Sequence, residues 1–273
     1  MQNLSDAPVI RFEHVTKQYA SRALSHIGAK GLITRFPEFL ARRNRHPVFT
    51  ALKDVSFEVG RGESFAVVGL NGAGKSTSLA LIAKVMRPTS GTVHTVGRIC
   101  PLLELGAGFH PDLTGRENIE LNGVLLGMTK RELRAKTEPI LDFAGIGEFI
   151  DEPLRTYSTG MMARLGFAVA VHLDPDILLV DEILAVGDVT FRAKCLDRIS
   201  EFRRRGVTFV IVAHDTQLVR ANCDRAVLLY GGSVHMTGES GAVADEYLRL
   251  VTAAKTPAPV IPREAPPLAT APS

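Results

Sequence analysis

Paired cysteines are missing from this chain. Cys100, Cys195 and Cys223 are an odd number with no CxxC spacing, so neither a disulfide framework nor a zinc site is indicated. They read most simply as reduced core thiols of a cytosolic protein. A leader is missing too: Met1 to Pro8 has neither a basic start nor an apolar run, so no signal peptide is expected. No uncharged apolar stretch reaches the roughly 18 residues that a membrane-crossing helix needs. The chain is therefore expected not to span a bilayer alone, although it could lie against one. Charge excess is slight at +3, so nothing in the balance demands a nucleic-acid partner, and none is expected. Internal repeats and sustained heptads are absent as well. What remains is 273 residues with an ordinary 45% apolar fraction. That is enough for a sizeable core in one large domain, or in a domain carrying an inserted subdomain.

The most informative stretch is Gly69 to Thr77, GLNGAGKST. An apolar run, Ser64 to Val68, precedes it and a helix-like stretch, Ser78 to Met86, follows. Strand, glycine loop ending in Lys-Ser, then helix is the arrangement that cradles phosphates. Gly72 and Gly74 let the backbone fold so that several N–H groups face an anion. The helix start near Lys75 adds its dipole. Gly69, Asn71, Gly72, Ala73, Gly74, Lys75, Ser76 and Thr77 are thus candidate nucleotide contacts. Lys75 would reach the terminal phosphates, and the Ser76 hydroxyl would hold Mg²⁺.

Around this loop the pattern is α/β. Val9 to Val15 alternates as a strand and leads to Tyr19, which reads equally as a flat surface for an adenine ring or as an ordinary strand-end tyrosine. Ser21 to Phe49 is a basic segment with Arg22, Lys30, Arg35, Arg42, Arg43 and Arg45 against the single acid Glu38. Leu32, Phe36, Phe39 and Leu40 recur there at helical spacing, so one or two short amphipathic helices are expected. By itself such a segment is a solvated insertion or a surface for anionic headgroups. Strand character resumes over Phe49 to Val59, and Thr92 to Ile99 reads as a strand pair. Thr114 to Met128, Thr129 to Phe143 and Met161 to Leu173 read as helices, the first two opened by capping boxes, Thr114 with Glu117 and Thr129 with Glu132. Two apolar runs, Asp176 to Asp181 and Val207 to Ala213, read as buried parallel strands, with the helix Val189 to Arg205 between them. A short helix at Thr216 to Asn222, a last strand at Ala226 to Tyr230 and a final helix at Ala242 to Val251 complete the pattern. From Thr252 the composition turns to Ala and Pro, and a disordered tail over 252–273 is expected.

The second half supplies what a P-loop ATPase needs. Asp181, at the end of a buried strand, would act on Mg²⁺ directly or through water. Glu182 follows it, placed to orient or deprotonate the attacking water. His214 closes the next strand, where α/β proteins bind ligands, and could touch the terminal phosphate. Ser158, Thr159 and Gly160 open a helix and make a second anion site. It is far from the loop in sequence, so one chain is not expected to bring both to one nucleotide, whereas two chains head to tail could.

The order of these motifs resembles the ATP-binding subunits of ABC transporters over about residues 8 to 251. The resemblance implies a P-loop NTPase cassette, α/β, with a mixed strand region, a parallel-sheet core and an inserted helical subdomain at about 105–170. It implies ATP and Mg²⁺ as cofactors, Tyr19 as the adenine-stacking aromatic, Ser158 to Gly160 as the signature, Ala185 to Asp188 as a dimer-contacting loop and His214 as the switch. The signature departs from LSGGQ, with Thr159 and Met161 in place of glycine and glutamine. Glu104 stands near where a metal- or water-binding glutamine is usual. The stretches 102–119, 157–170 and 180–188 look like the subfamily that exports lipopolysaccharide O-antigen, capsule or teichoic acid, which also carries extra sequence where this chain has its basic segment. The implied setting is a homodimer on the cytoplasmic face of the inner membrane, under an integral-membrane permease in two copies, moving a lipid-linked polysaccharide. In that setting the segment at 21–49 would lie near anionic lipid. Another ABC importer or exporter subunit, or a soluble ABC ATPase of translation or DNA repair, are the alternatives.

Overall fold

The computed structural model describes residues 7–20, 48–102, 106, 108–181 and 188–255. Most of the basic segment (21–47), Glu104, Glu182 and residues 183–187 lie outside the described residues. The strands are β1 (Ile10–Ala20), β2 (Val48–Val59), β3 (Ser64–Gly69), β4 (Ser90–Thr95), β5 (Ile99–Pro101), β6 (Ile177–Asp181), β7 (Thr208–Val212), β8 (Arg225–Tyr230) and β9 (Ser233–Glu239). The α-helices are α1 (Lys75–Ile82), α2 (Gly115–Leu125), α3 (Lys130–Ala144), α4 (Thr159–Val171), α5 (Val189–Arg204), α6 (Thr216–Asn222) and α7 (Ser240–Lys255).

Two sheets form. The smaller is antiparallel, in the order β2-β1-β4, and the larger runs β5-β6-β7-β3-β8-β9. Within the larger sheet β5 to β8 pair in parallel, and β9 joins β8 antiparallel. Alternation of side chains along each strand explains the layers. Phe65 and Val67 of β3 face one way, into a core shared with Val210 and Val212, with Phe12, Val15, Leu52 and Phe57 of the small sheet and with Leu79 and Ile82 of α1. Phe12, Phe57 and Phe65 stack in a row there, at centroid separations of 4.4 and 5.6 Å. Ala66 and Val68 face the other way, into a core with Phe209, Ile211, Leu228, Phe167, Phe191 and Phe202. The continuous apolar runs at 177–180 and 209–212 are therefore buried on both faces.

Cys100, Cys195 and Cys223 are all free and buried. Burial pushes each thiol up to about 12, so they stay protonated as core side chains.

Several expectations change in detail. Thr92 to Ile99 is not one strand pair: β4 belongs to the small sheet and β5 to the large one. Tyr230 does not end the last strand, because Gly231 and Gly232, both at positive φ, turn the chain into β9. The final helix does not stop at Val251. It continues to Lys255, and Thr252 Oγ1 donates to Leu248 O at 2.8 Å within it.

The helical block packs around Ile119, Ile140, Leu154, Tyr157, Leu165 and Val169. Both capping boxes form, at Thr114–Glu117 and Thr129–Glu132. Glu132 also clasps the block to the sheet. It accepts from Arg98 Nη1 at 2.8 Å, while the same guanidinium donates to Leu173 O at 2.8 Å. One turn on, Lys136 Nζ meets Asp174 Oδ2 at 2.5 Å and His172 O at 2.8 Å. The Arg98 guanidinium, and then the Thr129 amide, hold the Glu132 carboxyl down to about 2, against 4.5 unperturbed. Because the folded value lies below the unfolded one, this contribution to stability is full above pH 4.5 and is lost as pH falls toward 2. Glu132→Gln is accordingly expected to lower stability at pH 7 and to differ less and less from wild type between pH 4.5 and 2. Urea melts of the two proteins across that range check this, and a gap that stays constant with pH refutes the assignment.

Candidate nucleotide site

β3 ends at Gly69, and the chain turns through Leu70–Gly74 into α1. The Ala73 amide donates to Leu70 O at 3.1 Å and closes the turn. Gly72 and Gly74 hold φ of 79° and 101°, a region that disfavours any residue with a Cβ. At Gly74 a Cβ would also stand 2.6 Å from Ala51 O of β2. β2 can thus run directly beneath the turn only because residue 74 is glycine. Gly74 caps α1 without any side-chain acceptor. The first-turn amides are left for an anion, at the positive end of the helix.

Lys75 is 7% exposed. Its ammonium donates to Gly69 O at 2.8 Å and Leu70 O at 3.1 Å. A buried cation needs such partners, and here they hold it curled beside the loop mouth. Ser76 is exposed and Thr77 half-buried on the same turn. Asn71 is exposed at the rim, and Ala73 is buried under it.

Register then sets the other residues. Val67 of β3 pairs with Val212 of β7, and Val212 pairs with Asp181 of β6. The backbone of Asp181 thus ends level with the loop, two strands or about 10 Å away. His214, two residues beyond β7, is exposed. It lines a cleft of about 300 Å³ together with Leu70 and Asn71 of the loop and Tyr247 and Val251 of α7. Loop, acid-bearing strand and histidine therefore converge on one end of the sheet.

Tyr19 comes to the same place from β1. It is 36% exposed, and its hydroxyl lies 3.4 Å from Thr77 Oγ1 and 3.2 Å from Met86 Sδ. The Lys17 ammonium stands 5.3 Å from its ring centre. Phe49, directly opposite on β2 and 58% exposed, was not singled out by the sequence reading. Paired residues of an antiparallel ladder share a face, so the chain presents two exposed rings beside α1. An aromatic at a strand start was the available signal, and it needs the register to acquire meaning.

Ser158, Thr159 and Gly160 belong elsewhere, to the exposed start of α4. Ser158 Oγ caps that helix by accepting from the Met161 amide at 3.2 Å. At Gly160 a Cβ would approach only Ser158 Oγ, at 3.8 Å. α4 packs on α2, α3 and β5. Asp188, the last residue of the expected dimer-contacting loop, caps α5 by accepting from the Phe191 amide at 2.8 Å.

An open glycine loop feeding a helix at the carboxyl ends of parallel strands, with an acid-ended strand two places away, defines a P-loop nucleotide-binding cassette. Comparison with known proteins agrees. The sequence profile of the ABC transporter family matches residues 52–185. The O-antigen export system ATP-binding protein RfbB of Klebsiella pneumoniae is 48% identical over 242 residues, which cover 88% of this chain and 97% of that one. The teichoic acids export ATP-binding protein TagH of Bacillus anthracis is 42% identical over 238 residues, 87% of this chain and 42% of that one. Among solved structures, a dimeric bacterial ABC transporter cassette superposes with TM-score 0.62 at 24% identity, covering 85% of this chain and 98% of that one. An ATP-binding subunit of an ABC transporter does so with TM-score 0.66 at 22% identity, covering 89% and 99%; at these identities the fold alone is shared. The chain belongs to the ABC transporter family, as one of its ATP-binding, ATP-hydrolysing cassettes. Among the described residues no helix is long and apolar enough to cross a membrane.

Proposed function

We propose that this chain is the ATPase subunit that drives a lipid-linked polysaccharide across the bacterial inner membrane through a separate integral-membrane permease. The observation that carries the reading is its 48% identity over 97% of a protein named for O-antigen export. The relatives named for teichoic acid export support the same substrate class. The cassette spans residues 8–251 and sits peripherally on the cytoplasmic face. It works as a homodimer beneath two permease copies. ATP binds between Gly69–Thr77 of one protomer and Ser158–Gly160 of its partner. The exposed, side-chain-capped start of α4 supports this pairing, since a helix N-terminus open to solvent can offer amides to an anion.

Within that site Lys75 holds the terminal phosphates, and Tyr19 carries the adenine ring. Glu182 orients the attacking water, and His214 touches the terminal phosphate. The donors on offer for Mg²⁺ are the Ser76 hydroxyl and the Asp181 carboxylate, a hard oxygen set that suits this ion, with Glu104 as a further oxygen. When bound, the metal would neutralise charge on the transferring phosphoryl group.

Deletion of the gene in its own bacterium is expected to strip the glycan from the cell surface and to leave lipid-linked glycan inside. Complementation with the intact chain restores export, and complementation with Lys75→Ala does not. Normal surface glycan with no internal accumulation overturns the proposal.

A further inference from the structure

The cleft that holds His214 has a wall that belongs to none of the nucleotide motifs. Tyr247 and Val251, one turn apart on α7, face it together with Leu70 and Asn71 of the phosphate loop. Tyr247 is 8% exposed and sits in the main core with Val219, Cys223, Leu228 and Val243, while Leu70 packs on the edge of the same cluster. α7 also grips the segment that carries His214. That residue stands between β7 and α6, where Asp215 caps α6 by accepting from the Gln217 amide at 2.8 Å. α6 packs along α7, and Arg220 of α6 is ion-paired with Asp245 of α7. One helix therefore packs on α6 and on β3, the elements that flank His214 and the loop, and shares a cleft with Asn71 and His214.

We propose that Tyr247 is a positioning residue for ATP hydrolysis, holding His214 and the Leu70–Asn71 turn at the spacing that turnover requires. The chemistry follows from the packing. A large ring fixed in the core is a rigid stop: it belongs to the cluster on which Leu70 packs, on a helix that packs against both β3 and α6, and it walls the cleft that His214 and Asn71 also line. Removing it lets α6 and the loop relax separately. Displacement of a catalytic group by about 1 Å can cost up to about 100-fold in rate, with little effect on ligand contacts made elsewhere in the site. The inference rests on the reading of His214 given above, and α7 gains by it a role in the reaction as well as in the fold.

The test measures phosphate release by the purified chain as a function of ATP concentration. Tyr247→Leu is expected to lower kcat about tenfold and to leave KM for ATP within about twofold. Tyr247→Phe, which keeps the ring, should turn over like wild type. Val251→Ala, at a half-buried position, should lower kcat about threefold at unchanged KM; it decides the matter if Tyr247→Leu does not fold. His214→Ala is run beside them. If His214→Ala hydrolyses ATP at the wild-type rate, the reading of His214 falls and this inference with it. If His214→Ala is slow while Tyr247→Leu and Val251→Ala keep wild-type kcat, the positioning role alone is overturned. A rise in KM that matches the fall in kcat overturns it too, since that is the mark of a damaged binding loop.

Discussion

Lys75→Ala is expected to reduce ATP turnover by at least about 100-fold, the cost of removing one preorganised donor from a site of developing negative charge. The ammonium is already in place, buried and held by Gly69 O and Leu70 O at the loop mouth. Phosphate oxygens need only take over from two carbonyls for it to reach its working position. Part of the loss should appear as weaker nucleotide binding, since the same contact exists before the transition state. Measurement of phosphate release and of nucleotide affinity separates the two parts. The loop itself should survive, because its conformation rests on Gly72, Gly74 and the Ala73–Leu70 hydrogen bond. Mixing sharpens the result. Lys75→Ala and Ser158→Arg proteins should each be inactive alone, and together they should recover activity through dimers that hold one intact composite site. Absence of recovery, or full hydrolysis by a monomer, refutes the shared site.

The phosphate loop was legible because its chemistry is local. Three glycines and four polar residues in fixed spacing dictate the turn, and nothing distant is needed to recognise it. The capping boxes at Thr114 and Thr129 were legible for the same reason, each lying within one helical turn. So were the apolar runs of β6 and β7, since a strand buried on both faces leaves an unbroken run. β9 was not: Ser233–Glu239 mixes polar and apolar residues, as an edge strand with one wet face does. Nor could the split of β4 from β5 be read, because sheet membership is decided by β1 and β6, which lie far from both of them and from each other in the chain.

Long-range pairings account for the rest. The link between Glu132 and Arg98 spans 34 residues, and neither residue advertises it; Glu132 was recognised only for its capping role. Phe49 became a partner of Tyr19 only through the β1–β2 register. Tyr247 shares a cleft with His214 because α7 folds back along α6, and a tyrosine in an amphipathic helix otherwise signals nothing beyond core packing. The motifs named the chemistry, while the residues that hold those motifs in relation to one another emerged from packing.

Glu182→Gln should separate binding from hydrolysis most cleanly. The residue follows Asp181, whose backbone pairs with Val212, and Val212 pairs in turn with Val67 of the loop strand. The chain therefore leaves β6 level with the loop and with the end of β7 that leads to His214. A carboxylate at that point can accept a proton from a water attacking the terminal phosphate, and an amide of the same size cannot. Loss of a general base costs about 10²–10⁴-fold, so turnover should fall by that factor. ATP affinity should stay within a few-fold, because the phosphate contacts of Lys75 and the loop amides are untouched. The variant should also hold ATP between two protomers, as a dimer that wild type forms only until it hydrolyses. Equilibrium binding, phosphate release and the mass of the ATP-bound species together test this, and wild-type turnover by Glu182→Gln removes Glu182 from the reaction.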